Sequence, residues 1–582
     1  MKNAPLLLFL VAMAFPTLLI AQPDTVVVPA DSPPGEGNLN AAVQTARTAG
    51  TLSRTVFKLE LGENYVLPGT IEVQAGEHLT IVAPEPGSTQ ASRPPRIVLS
   101  DTATSGFTHS NFRCFGTITL KNIWLLFSGS HGQLNLQIED SPDSVNGQRG
   151  EFDGVIFDAS TIPWNASGAV GISARHFKGT FRNCYFRNCA DAHYRYYGRA
   201  LSFPYAKEGL HSDSVLFENC TFDNMGYVYE QESGNYADFV KFNHCTFVNV
   251  VMYPLESGWW KTLSVTNSIF LNTWMYGAMP GYVDGGTIRI DSIATFGFDV
   301  PFDEQDRRVL FAYSSYGLDD WLREWMDDNP ASVWWYQHGE DAHVPIPQPM
   351  LSPGTLRFFD STNTDGTRLF PYMNRVALYD SANPGFILPP TDTAALKSFL
   401  YHRWWDSVDT AWAFRPEVSL QGSWPFPENL AFTNPVLAAG AMGGYPLGDL
   451  YRWWPEQYAL WKAQQEEEDA RLAGWLEYGI DPLVSVGDGA AGIHPQSYEL
   501  FQNYPNPFNP STTISFFLPR DANVSLAVFD LLGRKVATIA SGVLAAGAYS
   551  RQWDAEDLPS GVYLCQLRAG TFVQTRKMLL LK

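Results

Sequence analysis

The sequence is short of positive charge. Lys and Arg total 39 against 60 Asp and Glu, a formal net charge of −21. A surface of that sign repels phosphate backbones, which excludes nucleic acid as a partner. Anionic polysaccharides are repelled as well, unless a cation or a local basic patch intervenes. Cysteine is scarce: six in 582 residues, none in CxxC spacing. A disulfide framework does not fit so long a chain, and zinc has no ligand set. No apolar run of spanning length follows the first 21 residues, so the mature chain is expected to lack a transmembrane helix. GxSxG, HExxH and phosphate-loop motifs are absent too, which removes the serine-hydrolase, zinc-protease and nucleotide chemistries that those motifs carry.

Apolar residues are plentiful at 45 %, so large cores are available and global disorder is excluded. The N-terminus, MKNAPLLLFLVAMAFPTLLIAQPD, has one early lysine, an apolar run over Pro5–Ile20 and a small residue at Ala21. This predicts a secretory signal peptide over residues 1–21. A polar, Pro-rich stretch follows, and then LNAAVQTARTAG (39–50) predicts a helix that stops at a glycine.

From there short strands recur for more than 200 residues. FRNCYFRN, FENCTFDN, FNHCTFVN and VTNSIFLN share one template. Aligned on Cys184, Cys220, Cys245 and Ser268, they step by 36, 25 and 23 residues. Such a period marks a solenoid in which no repeat has a core of its own. Stacking would make a Cys/Ser ladder, a Phe ladder (Phe186, Phe222, Phe247, Phe270) and an Asn ladder (Asn188, Asn224, Asn249, Asn272). The pattern resembles the right-handed parallel β-helix of the pectate-lyase-like superfamily. The resemblance covers roughly residues 35–310, with the 39–50 helix as N-terminal cap. Residues 311–479 read as an aromatic-rich extension or cap ending in a helix, and 480–496 as a linker. The acidic run Glu466–Asp469 is expected to be a solvated helix face.

Residues 497–582 stand apart. Six period-two segments alternate with turn signals such as PRDAN, LLGR and LPSG, which predicts a small β-sandwich of Ig-like build. NYPNPFNPSTTISFFLP, VFDLLGRKVATI, LPSGVYLCQLRAG and TRKMLLLK, in that order, resemble the C-terminal sorting domain of type IX secretion substrates. That resemblance implies the type IX machinery as partner and export to the cell surface or medium. It assigns Gly561, Tyr563 and Lys577 to the recognition segments. The fold expected for the whole chain is therefore mostly β: a β-helix, an aromatic-rich extension and a sandwich.

Activity is less legible. Superfamily enzymes work in a groove beside one sheet, with Asp holding calcium and Lys or Arg moving charge. The Trp-Ile-Asp-His signature, the Arg-x-Pro-x-x-Arg run and the double-Asp pattern of such enzymes are all absent. The densest candidate is DAHYRYYGR. As catalytic residues it offers Asp191, His193, Arg195 and Arg199. Aromatic and acidic residues recur just after each ladder Asn: Tyr194 and Tyr197, Tyr229 and Glu230, Tyr253 and Glu256, Trp274 and Tyr276. Stacked, these would form a glycan track, or would simply brace the turns. Two functions stay open: a polysaccharide-binding or structural surface protein, and a polysaccharide lyase or hydrolase. No cofactor is evident, and calcium is implied only for a lyase. DSTNTDG (360–366) lacks the ligand spacing of a calcium loop and reads as a polar turn.

Overall fold

The computed structural model describes residues 24–31, 37–100, 109–126, 132–140, 147–158, 168–190, 198–203, 209–231, 234–252, 254–256, 258–277, 286–295, 299–328, 348–390, 392–404, 423–482, 498–500, 503, 508, 510–545 and 547–581. The 1–21 segment and nearly all of the 480–496 linker lie outside them.

Parallel strands dominate. Nineteen join in one continuous system that bends at a corner into two faces, and seven more make a third face. Between Thr55 and Glu256 each coil contributes a strand to each face and pairs in register with its neighbours; beyond Glu256 the described coils add strands to the first two faces only. On the first face Lys178–Arg182 pairs with His211–Glu218, then Tyr236–Asn243, Thr262–Thr266 and Arg308–Gly317. On the second, Tyr185–Arg187 pairs with Thr221–Met225, Thr246–Val250 and Ile269–Thr273. The third runs through Gly168–Ser173, Arg199–Ser202, Tyr227–Glu230 and Leu255–Glu256. This is a parallel β-helix.

Two sharp corners per coil require left-handed backbone, and the sequence supplies it mainly with asparagine, once with His244. Between the first and second faces Asn122, Asn183, Asn219, His244 and Asn267 all have φ between 50° and 58°. Between the second and third, Asn188, Asn224, Asn249 and Asn272 have φ between 52° and 57°. Asn tolerates this region because its short amide bonds locally. In the second set those amides also link coils. Asn224 Nδ2 donates to Asn188 Oδ1 at 3.2 Å, Asn249 to Asn224 at 3.2 Å and Asn272 to Asn249 at 3.1 Å.

Inside, rings repeat at the coil spacing. Phe186, Phe222, Phe247 and Phe270 stack with centroids 5.1, 5.0 and 4.3 Å apart. A second ladder, Phe181–Phe217–Phe242, stacks at 4.8 and 4.7 Å. In-register strands lie about 4.8 Å apart, which suits offset ring stacking. The helix Asn38–Thr48 buries Leu39, Val43 and Ala46 in the same core.

Residues 428–481 run along the first corner and satisfy polar groups that the turns expose. Leu450 N donates to Asn219 Oδ1, Met442 N to Asn267 Oδ1 and Asp449 N to Thr246 Oγ1, at 3.2, 2.8 and 3.0 Å. The helix Gln465–Tyr478 packs Leu472, Trp475 and Leu476 against Leu310 and Ala312. Here the acidic run departs from expectation. Glu468 is buried, takes a 2.8 Å bond from Asn243 Nδ2 and lies 3.6 Å from His244 Nε2. One face of that run clamps the helix to the corner.

The last block is antiparallel. One sheet orders Glu499–Leu500, Ser511–Leu518 and Gly547–Asp554. The other orders Lys535–Leu544, Ala522–Asp530, Gly561–Ala569 and Phe572–Leu580. Alternation sends Ile514, Phe516 and Leu518 into a core shared with Val524, Leu526 and Leu567.

Candidate functional site

The proposed track is only partly described. Asp191, His193, Tyr194, Arg195, Tyr197 and Tyr253 lie outside the described residues. Arg199 is buried on the third face, paired with the Glu230 carboxylate and 5.8 Å from the Tyr227 ring centroid. Glu256 follows Glu230 in register on the next coil. Tyr229, Trp274 and Tyr276 are buried in the hydrophobic core. The aromatics recur where the third face begins, and period-two alternation turns Tyr227 and Tyr229 inward. The structure thus brings Arg199 and Glu230 together and puts the three aromatics inside.

A groove of about 670 Å³ opens elsewhere, between the outward side of the first face and the Gln465–Tyr478 helix. Its floor is laid out by register. Leu216, Lys241 and Ser264 follow one another on successive coils, and so do Phe239, Thr262 and Arg308. Asp469, Leu472 and Leu476 form the wall.

Charges in the groove are largely matched. Lys241 Nζ lies 3.4 Å from Glu218 Oε2 and bonds Asp469 Oδ1. Burial opposes the ammonium charge, but Glu218 and Asp469 outweigh it and lift the Lys241 pKa above its ordinary value. Burial pushes the Glu218 carboxyl up, with Lys241 only partly opposing. Gln465 Nε2 donates to Glu218 Oε1 at 2.6 Å. Lys261 Nζ sits 2.5 Å from Asp238 Oδ1. The Ser264 hydroxyl lines the groove, is 1 % exposed and has no protein hydrogen-bond partner. Buried polar groups are rarely left so. Sequence reading missed this site because its residues are scattered over five strands and a distant helix. The available signal was Lys241, a charge at an outward position in the apolar strand YADFVKFN.

A second polar cluster lies on the outward side of the second face. Asp158, Arg187 and Asp223 occupy successive coils in register. Glu428 covers them, 3.3 Å from Arg187 Nη2, and accepts a 2.7 Å bond from Tyr185 Oη. Phe426 lies 3.9 Å from the guanidinium. Burial, reinforced by Glu428 and partly offset by Arg187, pushes Asp223 up to about 7. Burial does the same to Asp449, which reaches about 7 against Arg452 and the bond from Thr221. The cluster is sealed and fastens the 424–454 segment. Among the described residues no group of three or more His, Cys, Asp or Glu side chains is placed to hold a metal ion.

In the C-terminal sandwich Tyr563 is buried and its Oη donates to Pro559 O at 2.8 Å, fixing the turn before its strand. Lys577 stands opposite Leu564 on the next strand, and Gly561 begins the Tyr563 strand. Residues 502–581 match the family model of the secretion system C-terminal sorting domain. This block is a sorting domain. It supports export by the type IX system and implies a cell-surface or extracellular location. No curated protein matches the chain. A solved structure, the enzymatically active domain of bacteriophage CBA120 tailspike protein 4, aligns with 93 % of this chain and 65 % of its own length. Identity is 11 % and the TM-score 0.25. The chain thus spans less than two thirds of that structure, and likeness at this level says nothing of activity.

Proposed function

We propose that the chain is made with a cleavable signal peptide, exported by the type IX machinery, and binds extracellular polysaccharide in the groove beside the first face. One observation carries the binding reading. The groove presents a buried, unpartnered Ser264 hydroxyl beside apolar Leu216 and Phe239, while its charges mostly neutralise one another. Sugars offer that same mixture of hydroxyls and apolar C–H faces. Calorimetry of the purified protein against a panel of neutral and acidic oligosaccharides tests it. Ser264→Trp, which fills the groove floor, should abolish any binding found. Binding unchanged in that variant would sink the assignment. Removing residues 497–582 should leave the protein in the periplasm, and normal surface delivery without them would refute the export reading.

A second reading rests on Glu218. Its carboxyl, raised by burial, faces Asp469 across Lys241 in one groove. Two carboxyl groups facing one groove suit glycoside hydrolysis. Appearance of new reducing ends, lost in Glu218→Gln, would establish the enzyme. Binding without product on every substrate that binds would favour the binding module.

A further inference from the structure

Arg308 differs from the other cations of the groove. Lys241 is held by Glu218 and Asp469, Lys261 by Asp238, and Arg182 lies 3.7 Å from Glu151 and 3.9 Å from Glu218. Arg308 makes no ion pair among the described residues. Its Nη1 donates to Asp306 O at 2.6 Å, and its guanidinium lies 4.5 Å from the Tyr372 ring centroid. The neighbouring carboxylate does not reach it, because Asp306 Oδ2 accepts from Asp303 N at 2.9 Å. Arg308 is therefore fixed at one end, stacked on an aromatic ring, and left with donors to spare. It lines the groove one coil beyond Thr262 and two beyond Phe239.

Resting on the groove reading above, we infer that Arg308 anchors a single anionic substituent of the bound glycan, a carboxylate or a sulfate. A guanidinium recognises either through paired N–H bonds. Thr262 and Ser264 bond the adjoining sugar hydroxyls, and the half-buried Phe239 ring takes a sugar face. The ligand carries acid groups sparsely. A polyuronate would set one carboxylate on Arg308 and a neighbouring one against exposed Glu477, which shares the groove and makes no ion pair among the described residues. The net charge of −21 repels such a chain over the whole surface.

The test is calorimetry on the full chain with matched probes at low salt. These are a neutral xylo-oligosaccharide, the same oligosaccharide with one glucuronate, the same with one sulfate, and an oligogalacturonate. The singly acidic probes should bind about tenfold tighter than the neutral one, a ratio that corresponds to about 1.4 kcal/mol. The ratio should shrink at high salt. Whichever singly acidic probe binds tighter identifies the substituent. Arg308→Gln should bring acidic and neutral probes within about twofold of one another. Glu477→Lys, on the exposed side of the helix, should widen the preference and serves if Arg308→Gln fails to fold. Neutral and acidic probes bound alike by the unmodified protein, or oligogalacturonate bound best, would overturn the inference and leave the groove reading standing. No binding of any probe, neutral included, would instead overturn the groove reading.

Discussion

Replacing Lys241 by Met would expose how the groove wall is held. The ammonium stands between Glu218 and Asp469, joining the first face to the Gln465–Tyr478 helix. At 3.4 Å its gross attraction to Glu218 is roughly 5 kcal/mol for an effective dielectric near 20. Desolvation offsets much of that, but removing one partner strands the other, at about 3–5 kcal/mol for a buried pair. Asp469 is 40 % exposed, so water screens it and its share is small. The loss therefore centres on Glu218, and we expect about 3 kcal/mol at pH 8. The pH dependence has a definite sign. Glu218 already has a raised pKa in the folded protein, and losing Lys241 raises it further. The folded state then holds a proton that the unfolded state releases, so the variant weakens as pH rises and recovers towards pH 5. Chemical denaturation at both pH values, with hydrogen exchange over 465–478, measures it. Glu218→Gln combined with Lys241→Met should restore most of the loss, because no buried charge remains. A deficit independent of pH, or undiminished in the double variant, would refute the charge argument and point to packing.

Phe222→Ala opens the middle of a five-ring stack that begins at Phe157 and should cost about 3–5 kcal/mol in denaturant titration. Asn224→Gly should unfold later than Asn224→Ala, since glycine accepts the φ of 54° there; equal midpoints would show that only the ladder bonds matter. Asp223 has a folded pKa near 7, above its unfolded value, so its contribution is fullest in acid and is lost as pH rises through about 7. Exchange protection of residues 428–454, corrected for intrinsic rates, should fall from pH 5 to 8, and Asp223→Asn should flatten that fall.

Local pattern determined much of this protein. The Asn-Cys-x-Phe repeats predict a coiled parallel stack, because one residue type per turn position recurs at every coil. Asn224 and Phe222 could be placed on ladders for that reason, and Ile514, Phe516 and Leu518 on a sandwich face by alternation alone. The sorting domain was legible because its signature lies in contiguous segments. The first-corner set, with Asn183, Asn219 and Asn267, is equally local, but His244 breaks its run of asparagines, so the ladder is less regular in sequence than the Cys/Ser position beside it. Tertiary structure decided the rest. It turned Tyr229, Trp274 and Tyr276 inward, since a residue near a turn can face either way until the strand's register is set. It took Glu468 from an acidic run into a buried bond with Asn243, a partner 225 positions away. It also built the groove from Lys241, Arg308 and Asp469, joined only when a helix far along the chain docks on coils made earlier. Sequence determines which residues stack, because stacking is set by repeat spacing. Which stacked face becomes a site depends on what later packs across it.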